Sequence, residues 1–314
     1  MLLPHLLCAS ALALTTFASH AQKPLKKDEV LLFAYFKGNG EDGLHLATSP
    51  NGLQWTALNQ DKSLLAPTVS PDKLMRDPCI IRGKDGQFHM VWTTSWHDRS
   101  IGYASSKDLV HWSPQQEIPV MAAEPTAKNC WAPEITYDAP HNQYLIYWAT
   151  TIPGRFPAGE TTVEGGNNHR IYYVTTKDFK TYSSAQVLYD QGFNVIDATI
   201  QPVGKRYAMF LKDETKEPVQ KNLRVAFADQ AAGPYGPPSA PITGKYWAEG
   251  PTAIQLGDKW LVYFDKYTEH KYGMVSSTDL THWTDESDRV QFPAGARHGT
   301  VLRITQKELA QLPR

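Results

Sequence analysis

RDPCIIR at residues 76–82 is the first of five short segments in which charged or catalytic-type residues lead directly into an apolar run. The others are CWAPEITY at 130–137, IDATIQPV at 196–203, EGPTAIQL at 249–256 and HGTVLRI at 298–304. Each of the first four is followed by a second apolar segment: FHMVWTTS, YLIYWATT, RYAMFLKD and KWLVYFDKY. The pattern predicts five inner strands, each paired with a second strand in its own small sheet.

A third repeated segment accompanies each pair. It reads LHLATSPNGLQW, IGYASSKDLVHW, IYYVTTKDFKTY, LRVAFADQAAGPY and YGMVSSTDLTHW, and its last residues are spaced by 57, 70, 53 and 48 positions. Units of this size are typical of β-propeller blades, because one small sheet cannot bury both of its faces without neighbours. The sequence therefore predicts an all-β protein, a five-bladed β-propeller.

The two ends of the chain complement each other in this scheme. The segment at 298–304 has no second strand after it, whereas VLLFAYFKG at 30–38 has no inner strand before it. We predict that the N-terminal and C-terminal strands pair and close the ring, which removes open sheet edges. A short C-terminal helix should follow, with Thr305 and Glu308 in a capping box.

The first 21 residues, MLLPHLLCASALALTTFASHA, are predicted to be a secretory signal peptide, because an apolar stretch ends in small residues at an A-x-A-like site. This prediction assigns residues 22–314 to one propeller domain and the mature protein to the periplasm or the extracellular space. No later apolar run is long enough for a membrane span.

Composition narrows the range of partners. The 31 basic and 32 acidic residues nearly cancel and form no basic stripe, so nucleic acid is not an expected partner. We expect a monomer. Cys79 and Cys130 begin inner strands of adjacent blades, and an exporting compartment would permit a disulfide between them. Two separate buried thiols are the favoured alternative, since disulfide geometry is demanding.

The starts of the inner strands should meet at one end of the central channel. There they bring together four carboxyls and one imidazole, those of Asp77, Glu134, Asp197, Glu249 and His298. Desolvation and mutual repulsion both oppose such a cluster, so it indicates chemistry. Taken singly, each acid has a structural alternative, such as a turn before Pro78 or a bond to backbone amides at a strand start.

Two carboxyls that flank a bond between sugars are the minimum for glycoside hydrolysis, and a third can raise the pKa of the acid. Trp96, Trp131 and Trp247 offer apolar platforms for sugar faces. The other candidate substrate-binding residues are Glu134, His298, His97, Asn168 and His169. Asn168 and His169 end a Pro- and Gly-rich insert at 152–170, where a plain loop role is the alternative.

RDPCIIR, IDATI and EGPTAI occur in that order, with WAPEITYD between the first two and HG after the last. This arrangement resembles glycoside hydrolase family 43 over the whole chain after the predicted leader. The resemblance implies that Asp77 is the general base, Asp197 the modulator of the acid's pKa and Glu249 the general acid. It implies no cofactor for catalysis. Near His298 it leaves two alternatives, an axial cation such as calcium or a packed, hydrogen-bonded histidine.

The resemblance also implies an inverting, exo-acting enzyme on oligosaccharides or polysaccharides of plant type. α-L-arabinofuranosides are the first expectation, with β-D-galactofuranosidase and β-xylosidase activities as alternatives. A non-catalytic carbohydrate-binding propeller would need the aromatic funnel but not three acids. A scaffold propeller that binds protein on its rim would need neither. The acids therefore favour an enzyme.

Overall fold

Five small antiparallel sheets make up the computed structural model, which describes residues 25–159 and 165–314. The predicted signal peptide at residues 1–21 lies outside the described residues. The first strands in the described part of the chain belong to the last blade, blade 5: β1 (Glu29–Phe36), β2 (His45–Ser49) and β3 (Thr56–Ala57). The predicted five-bladed propeller is confirmed.

Blades 1 to 4 then follow in chain order. Blade 1 contains β4 (Arg76–Arg82), β5 (Phe88–Thr93), β6 (Ile101–Ser106) and β7 (Gln116–Ile118). Blade 2 contains β8 (Trp131–Asp138), β9 (Gln143–Thr151), β10 (His169–Thr176) and β11 (Gln186–Tyr189). Blade 3 contains β12 (Val195–Val203), β13 (Arg206–Asp213) and β14 (Asn222–Ala228). Blade 4 contains β15 (Glu249–Leu256), β16 (Lys259–Lys266), β17 (Lys271–Ser277) and β18 (Thr284–Asp285).

The last blade joins the two ends of the chain, as predicted. β19 (Arg297–Thr305) pairs antiparallel with β1, from Glu29 opposite Thr305 to Phe36 opposite Arg297. The helix α1 (Gln306–Leu309) follows at once. Its N-cap is the predicted capping box, in which the Glu308 N–H donates to Thr305 Oγ1 at 3.2 Å and the Thr305 N–H donates to Glu308 Oε2 at 2.8 Å. The ring thus closes through main-chain hydrogen bonds.

The apolar side chains form five clusters, and each cluster lies between two neighbouring blades. Val91 and Ile146, for example, meet between blades 1 and 2, and Leu32 and Ile80 meet between blades 5 and 1. The second strands are buried on both faces, which explains why they read as continuous apolar runs. No blade can bury its faces alone, so the blades depend on one another for stability.

Cys79 and Cys130 are two separate buried free thiols, which confirms the favoured alternative. Burial raises the pKa of both thiols, so they are expected to be unreactive. None of the helices in the described part of the chain is long and apolar enough to cross a membrane.

Candidate active site

Every inner strand carries a β-bulge close to its start. The pairing with the neighbouring strand skips Asp77-Pro78, Ala132-Pro133, Asp197-Ala198, Gly250-Pro251 and His298 in blades 1 to 5. The first residue of the bulge has a positive φ in four blades: 52° at Asp77, 47° at Ala132, 52° at Asp197 and 59° at Gly250. A bulge re-aims side chains out of the regular alternation. Asp77, Asp197 and His298 therefore occupy equivalent positions of three blades.

Asp77 is held by contacts from its own blade and from blade 5, with an indirect link to blade 2 through Thr93. Its Oδ2 accepts a hydrogen bond from Thr93 Oγ1 at 2.8 Å, and Thr93 in turn accepts from the Ala132 N–H at 2.8 Å. His298 Nδ1 lies 3.3 Å from Asp77 Oδ1. Burial acts to raise the pKa of Asp77, but the interaction with His298 outweighs it and lowers this pKa to about 2. Asp77 is thus ionised, as a general base must be.

His298 is the buried cationic partner of this carboxylate. Burial acts to lower its pKa, but Asp77, with Asp197 and Glu134 nearby, raises the pKa to about 9. A protonated imidazole has no lone pair for a cation. In the described ranges, moreover, no group of three or more His, Cys, Asp or Glu residues is arranged to hold a metal ion. His298 is thus a hydrogen-bonded partner of Asp77 in this structure, and the axial cation near it stays a prediction.

Asp197 lies next to the Glu249 segment. Its Oδ2 accepts a hydrogen bond from the Gly250 N–H at 3.0 Å. Gly250 has to be glycine, because a Cβ there would lie 2.4 Å from His298 Cγ and the φ is positive. Burial raises the pKa of Asp197 to about 6, and the charges of Glu249 and Asp77 act in the same direction.

Glu249 lies between two cations. Its Oε2 accepts from Lys212 Nζ at 3.0 Å and its Oε1 from Arg297 Nη2 at 3.1 Å. Burial acts to raise the pKa of Glu249, but Lys212 and Arg297 outweigh it and lower this pKa. The pKa values of the neighbouring Asp197 and Glu249 carboxyls are therefore shifted in opposite directions. The resemblance to family 43 did not indicate this difference.

Glu134 is a fourth carboxyl, located two residues beyond the start of the bulge in blade 2. It is buried, and its Oε2 accepts from the Tyr147 hydroxyl at 3.1 Å. Burial raises its pKa to about 7. Its predicted contact with substrate stays a prediction.

An aromatic platform stands beside these acids. The rings of Trp96 and Trp131 lie edge to face, with centroids 5.5 Å apart, and the Arg76 guanidinium lies 4.1 Å from the Trp96 centroid. Asn39 Oδ1 accepts from both Arg76 Nη1 and Trp96 Nε1, each at 3.0 Å. The site residues predicted from the sequence did not include Asn39 and Arg76. The available signal for Arg76 was its position directly before the catalytic-type Asp77.

His169 and Asn168 support this platform and its loop. The buried His169 ring bonds to Asn129 at 2.9 Å and Asn194 at 3.1 Å, and lies 4.8 Å from the Trp131 ring. Burial lowers the pKa of His169 to about 3, so the ring is neutral. The Asn168 amide donates to the carbonyls of Phe156 and Ala158. These contacts hold the loop and the Trp131 ring in place, and the predicted contacts of both residues with substrate remain predictions.

The remaining predicted residues lie on exposed loops. Trp247 is 38% exposed, and its ring centroid lies 5.9 Å from that of Tyr267. His97 is exposed, and its backbone N–H donates to Ser95 Oγ at 3.0 Å. Both keep an accessible surface, and their predicted contacts with substrate remain predictions.

A separate cavity of about 610 Å³ lies between blades 1 and 2 and contains none of the three acids. Its walls include His89, Tyr103, Tyr137, Tyr144 and Phe179. The turn at 83–87, which joins β4 to β5, contributes to it, whereas Asp77 lies at the opposite end of β4. The cavity is therefore distinct from the cluster of acids.

Several inward-turned carboxyls of unequal pKa, set beside an aromatic platform in a five-bladed propeller, define a glycosidase-type site. A family model described as a probable glycosyl hydrolase domain matches residues 28–310. The chain belongs to glycoside hydrolase family 43.

Three known proteins show how the chain relates to this family. An α-L-arabinofuranosidase from Bifidobacterium longum is 23% identical over 160 residues, which are 45% of this chain and 15% of that protein. A thermostable family-43 glycoside hydrolase superposes with a TM-score of 0.56 at 14% identity, covering 74% of this chain and 80% of that one. An exo-β-1,3-galactanase from Clostridium thermocellum superposes with a TM-score of 0.52 at 12% identity, covering 70% of this chain and 50% of that one. At these identities the structural likeness concerns the fold.

Proposed function

We propose that this protein is an exported, inverting exo-glycosidase that releases α-L-arabinofuranosyl units from plant-type polysaccharides. The observation that carries the reaction type is the unequal surroundings of the acids: Asp77 contacts His298, and Asp197 lies beside Glu249. His298 keeps Asp77 ionised, whereas the neighbouring Asp197 and Glu249 pair retains a proton up to a pH of about 6. A base and a proton donor are thus available in one site at the same pH.

In the proposed reaction, Asp77 takes a proton from a water molecule as that water attacks the anomeric carbon. Glu249 donates a proton to the oxygen of the leaving group, and the bond between that oxygen and the anomeric carbon breaks. The water enters opposite the leaving group, so the configuration inverts. Space for this water requires the two carboxyls to be roughly 6.5 to 9.5 Å apart.

Asp197 has a supporting role in this scheme. Its bond to the Gly250 N–H holds it beside the residue that follows Glu249. When Asp197 is ionised, its charge opposes the ionisation of Glu249 and so favours a proton on the acid. The pair therefore behaves as one proton reservoir from which Glu249 delivers the proton.

The proposed sugar preference rests on the similarity to the Bifidobacterium longum arabinofuranosidase, and the rings of Trp96 and Trp131 offer an apolar surface for a sugar face. The long connection between β9 and β10 starts at the same end of blade 2 as Trp131. We propose that the described parts of this connection, residues 152–159 and 165–168, narrow the cleft to a pocket that admits chain ends. Export rests on the predicted leader, and we expect the mature enzyme to act as a monomer.

The test is a panel of 4-nitrophenyl furanosides and pyranosides, with product anomers followed by ¹H NMR. We expect α-L-arabinofuranoside to be the best substrate and to yield the inverted anomer first. Faster turnover of β-D-galactofuranoside or β-D-xyloside would replace the sugar assignment while keeping the reaction type. Sugar binding without turnover of any panel member would favour a carbohydrate-binding propeller instead.

A further inference from the structure

A chain of six charged side chains with alternating sign runs through Glu249. Its members, in order, are Lys221, Glu214, Lys212, Glu249, Arg297 and Asp265. Lys212 Nζ lies 2.7 Å from Glu214 Oε2 and 3.0 Å from Glu249 Oε2, and Arg297 Nε lies 2.6 Å from Asp265 Oδ2. The chain crosses blades 3, 4 and 5, so Glu249 is linked to groups outside its own blade.

Lys212 is the unusual member of this chain. It is 1% exposed and is the penultimate residue of β13, RYAMFLKD, in which the residues before it from 207 to 211 are buried and mostly apolar. Its ammonium lies 4.6 Å from the centroid of the Tyr267 ring. A buried ammonium is costly unless it is paired, and here Glu249 and Glu214 supply the pairing. Burial acts to lower the pKa of Lys212, but these two carboxylates outweigh it and raise the pKa well above its ordinary value.

We propose that Lys212 is a positioning residue that holds the Glu249 carboxyl in place and controls whether it carries a proton. The inference rests on the acid role proposed for Glu249. With Lys212 on Oε2 and Arg297 on Oε1, each carboxylate oxygen accepts one hydrogen bond and keeps a lone pair for the catalytic proton. The two contacts therefore fix the orientation of the Glu249 carboxyl and leave a lone pair on each oxygen for the catalytic proton.

Other charged groups also act on Glu249. From β12, Asp197 opposes its ionisation; from β19, Arg297 and His298 favour ionisation. Asp265 and Glu214 bind the two cations from the far side and offset part of their effect. Lys212 is the cation that contacts Glu249 from inside the protein, since Arg297 is 32% exposed and Lys212 only 2% at the side chain. Solvent screens Lys212 least, so the loss of its charge should have the larger effect.

The experiment compares wild type with Lys212→Gln, Lys212→Arg and Lys266→Met. Lys266 is the matched control, because it is also a buried lysine with a carboxylate partner, Glu269 at 2.9 Å, and an aromatic neighbour, Tyr246 at 3.9 Å. It has no direct contact with the acids of the site among the described ion pairs. The primary measurement is a ¹³C NMR titration of protein labelled at the glutamate side-chain carboxyls, with the Glu249 resonance assigned from Glu249→Gln.

We expect the Glu249 midpoint to rise by about one pH unit or more in Lys212→Gln. It should stay at the wild-type value in Lys266→Met and nearly so in Lys212→Arg, where the charge remains. In Lys212→Gln, the basic limb of the pH profile of kcat/KM, measured with the best glycoside of the panel, should move to higher pH by the same amount. An unchanged Glu249 midpoint in a folded Lys212→Gln protein overturns the proposal.

The acid role of Glu249 and the positioning role of Lys212 are tested by different outcomes. If Glu249→Gln keeps full activity on a substrate with a poor leaving group, the acid assignment fails, whatever Lys212 does. If Glu249→Gln behaves as an acid variant but Lys212→Gln keeps the wild-type midpoint and limb, only the role of Lys212 fails. If Lys212→Gln does not fold, the Lys212→Arg titration decides, because a midpoint shifted by a full unit despite the retained charge would contradict control by charge.

Discussion

Asp77 and Asp197 lie at equivalent positions in the bulges of blades 1 and 3, and both have a backbone φ of 52°. For most residues other than glycine this left-handed conformation costs of order 1–3 kcal/mol, and among them Asp and Asn tolerate it best. The β-bulge thus turns both carboxyls away from the directions that regular alternation along the strand would give them. Asparagine is consequently the replacement that preserves the fold while it removes the charge.

Asp77→Asn should lose turnover with every leaving group, by about 10²- to 10⁴-fold in kcat/KM, because an amide cannot activate water. The melting temperature should fall but the fold should persist, since Thr93 can still donate to the amide oxygen while the buried His298 loses its ionised partner. Steady-state kinetics with aryl and alkyl glycosides checks the effect, and Asp178→Asn, in an exposed turn, is the control. Full activity on activated aryl substrates would show that Asp77 is not the base.

Glu249→Gln should slow substrates with poor leaving groups by about 10² to 10⁴, because their departing oxygen needs a proton. Activated aryl glycosides should lose much less. Comparing kcat/KM across a series of leaving groups measures this as a steeper dependence on leaving-group pKa. If the Glu249 variant loses all activity equally while the Asp77 variant keeps activity on activated substrates, the two roles are reversed.

The pH profile should be acidic. The base must be ionised, so activity should fall as the pH drops through the Asp77 pKa of about 2. The pair of Asp197 and Glu249 must hold a proton, so activity should also fall as the pH rises through the Asp197 pKa of about 6. In Asp197→Asn, Glu249 faces Lys212 and Arg297 without the opposing carboxylate, and the basic limb should move to lower pH. A basic limb that stays in place, measured as kcat/KM against pH, would contradict the coupling.

Glu134 should make stability depend on pH. Its folded pKa of about 7 is above the ordinary 4.5, so the folded state binds more protons between these values, and stability falls as the pH rises through them. Because of this raised pKa, Glu134 alone should lower the free energy of unfolding by about 3 kcal/mol between pH 4 and pH 8. Denaturant unfolding at both pH values should show a smaller difference in Glu134→Gln, which keeps a partner for Tyr147. An equal difference in the variant would rule out Glu134 as the source.

Deleting residues 298–314 should open the ring. The edge of β1 would lose the main-chain partners that β19 supplies, and an exposed edge promotes aggregation. Light scattering and thermal unfolding of the truncated protein should show aggregation and a lower melting temperature. Deleting only residues 306–314 removes α1 and the buried Leu312 but leaves the sheet closed, so its loss should be smaller. A monomeric deletion protein with an unchanged melting temperature would contradict closure by the chain ends.

The sequence by itself determined the architecture. Strand alternation and apolar runs are local properties, so the repeated openings around Asp77, Asp197 and Glu249 predicted the five inner strands. The pairing of the chain ends followed from counting strands, and the Thr305 cap followed from its spacing to Glu308. The short fourth strands of four blades were not predicted, because two to four residues carry too little pattern.

Only the tertiary structure decided how the acids are charged. In each second strand, one residue pairs with a residue at the start of the inner strand of the same blade. The side chain of this residue extends to the inner strand of the next blade. Lys212 contacts Glu249, Asp265 contacts Arg297, and the Phe36 ring lies against Arg76 in this way. Such contacts depend on how one blade is rotated against the next, and no local pattern encodes that rotation. The pKa of each acid follows from these neighbours and from burial, and so it emerges only when the ring is assembled.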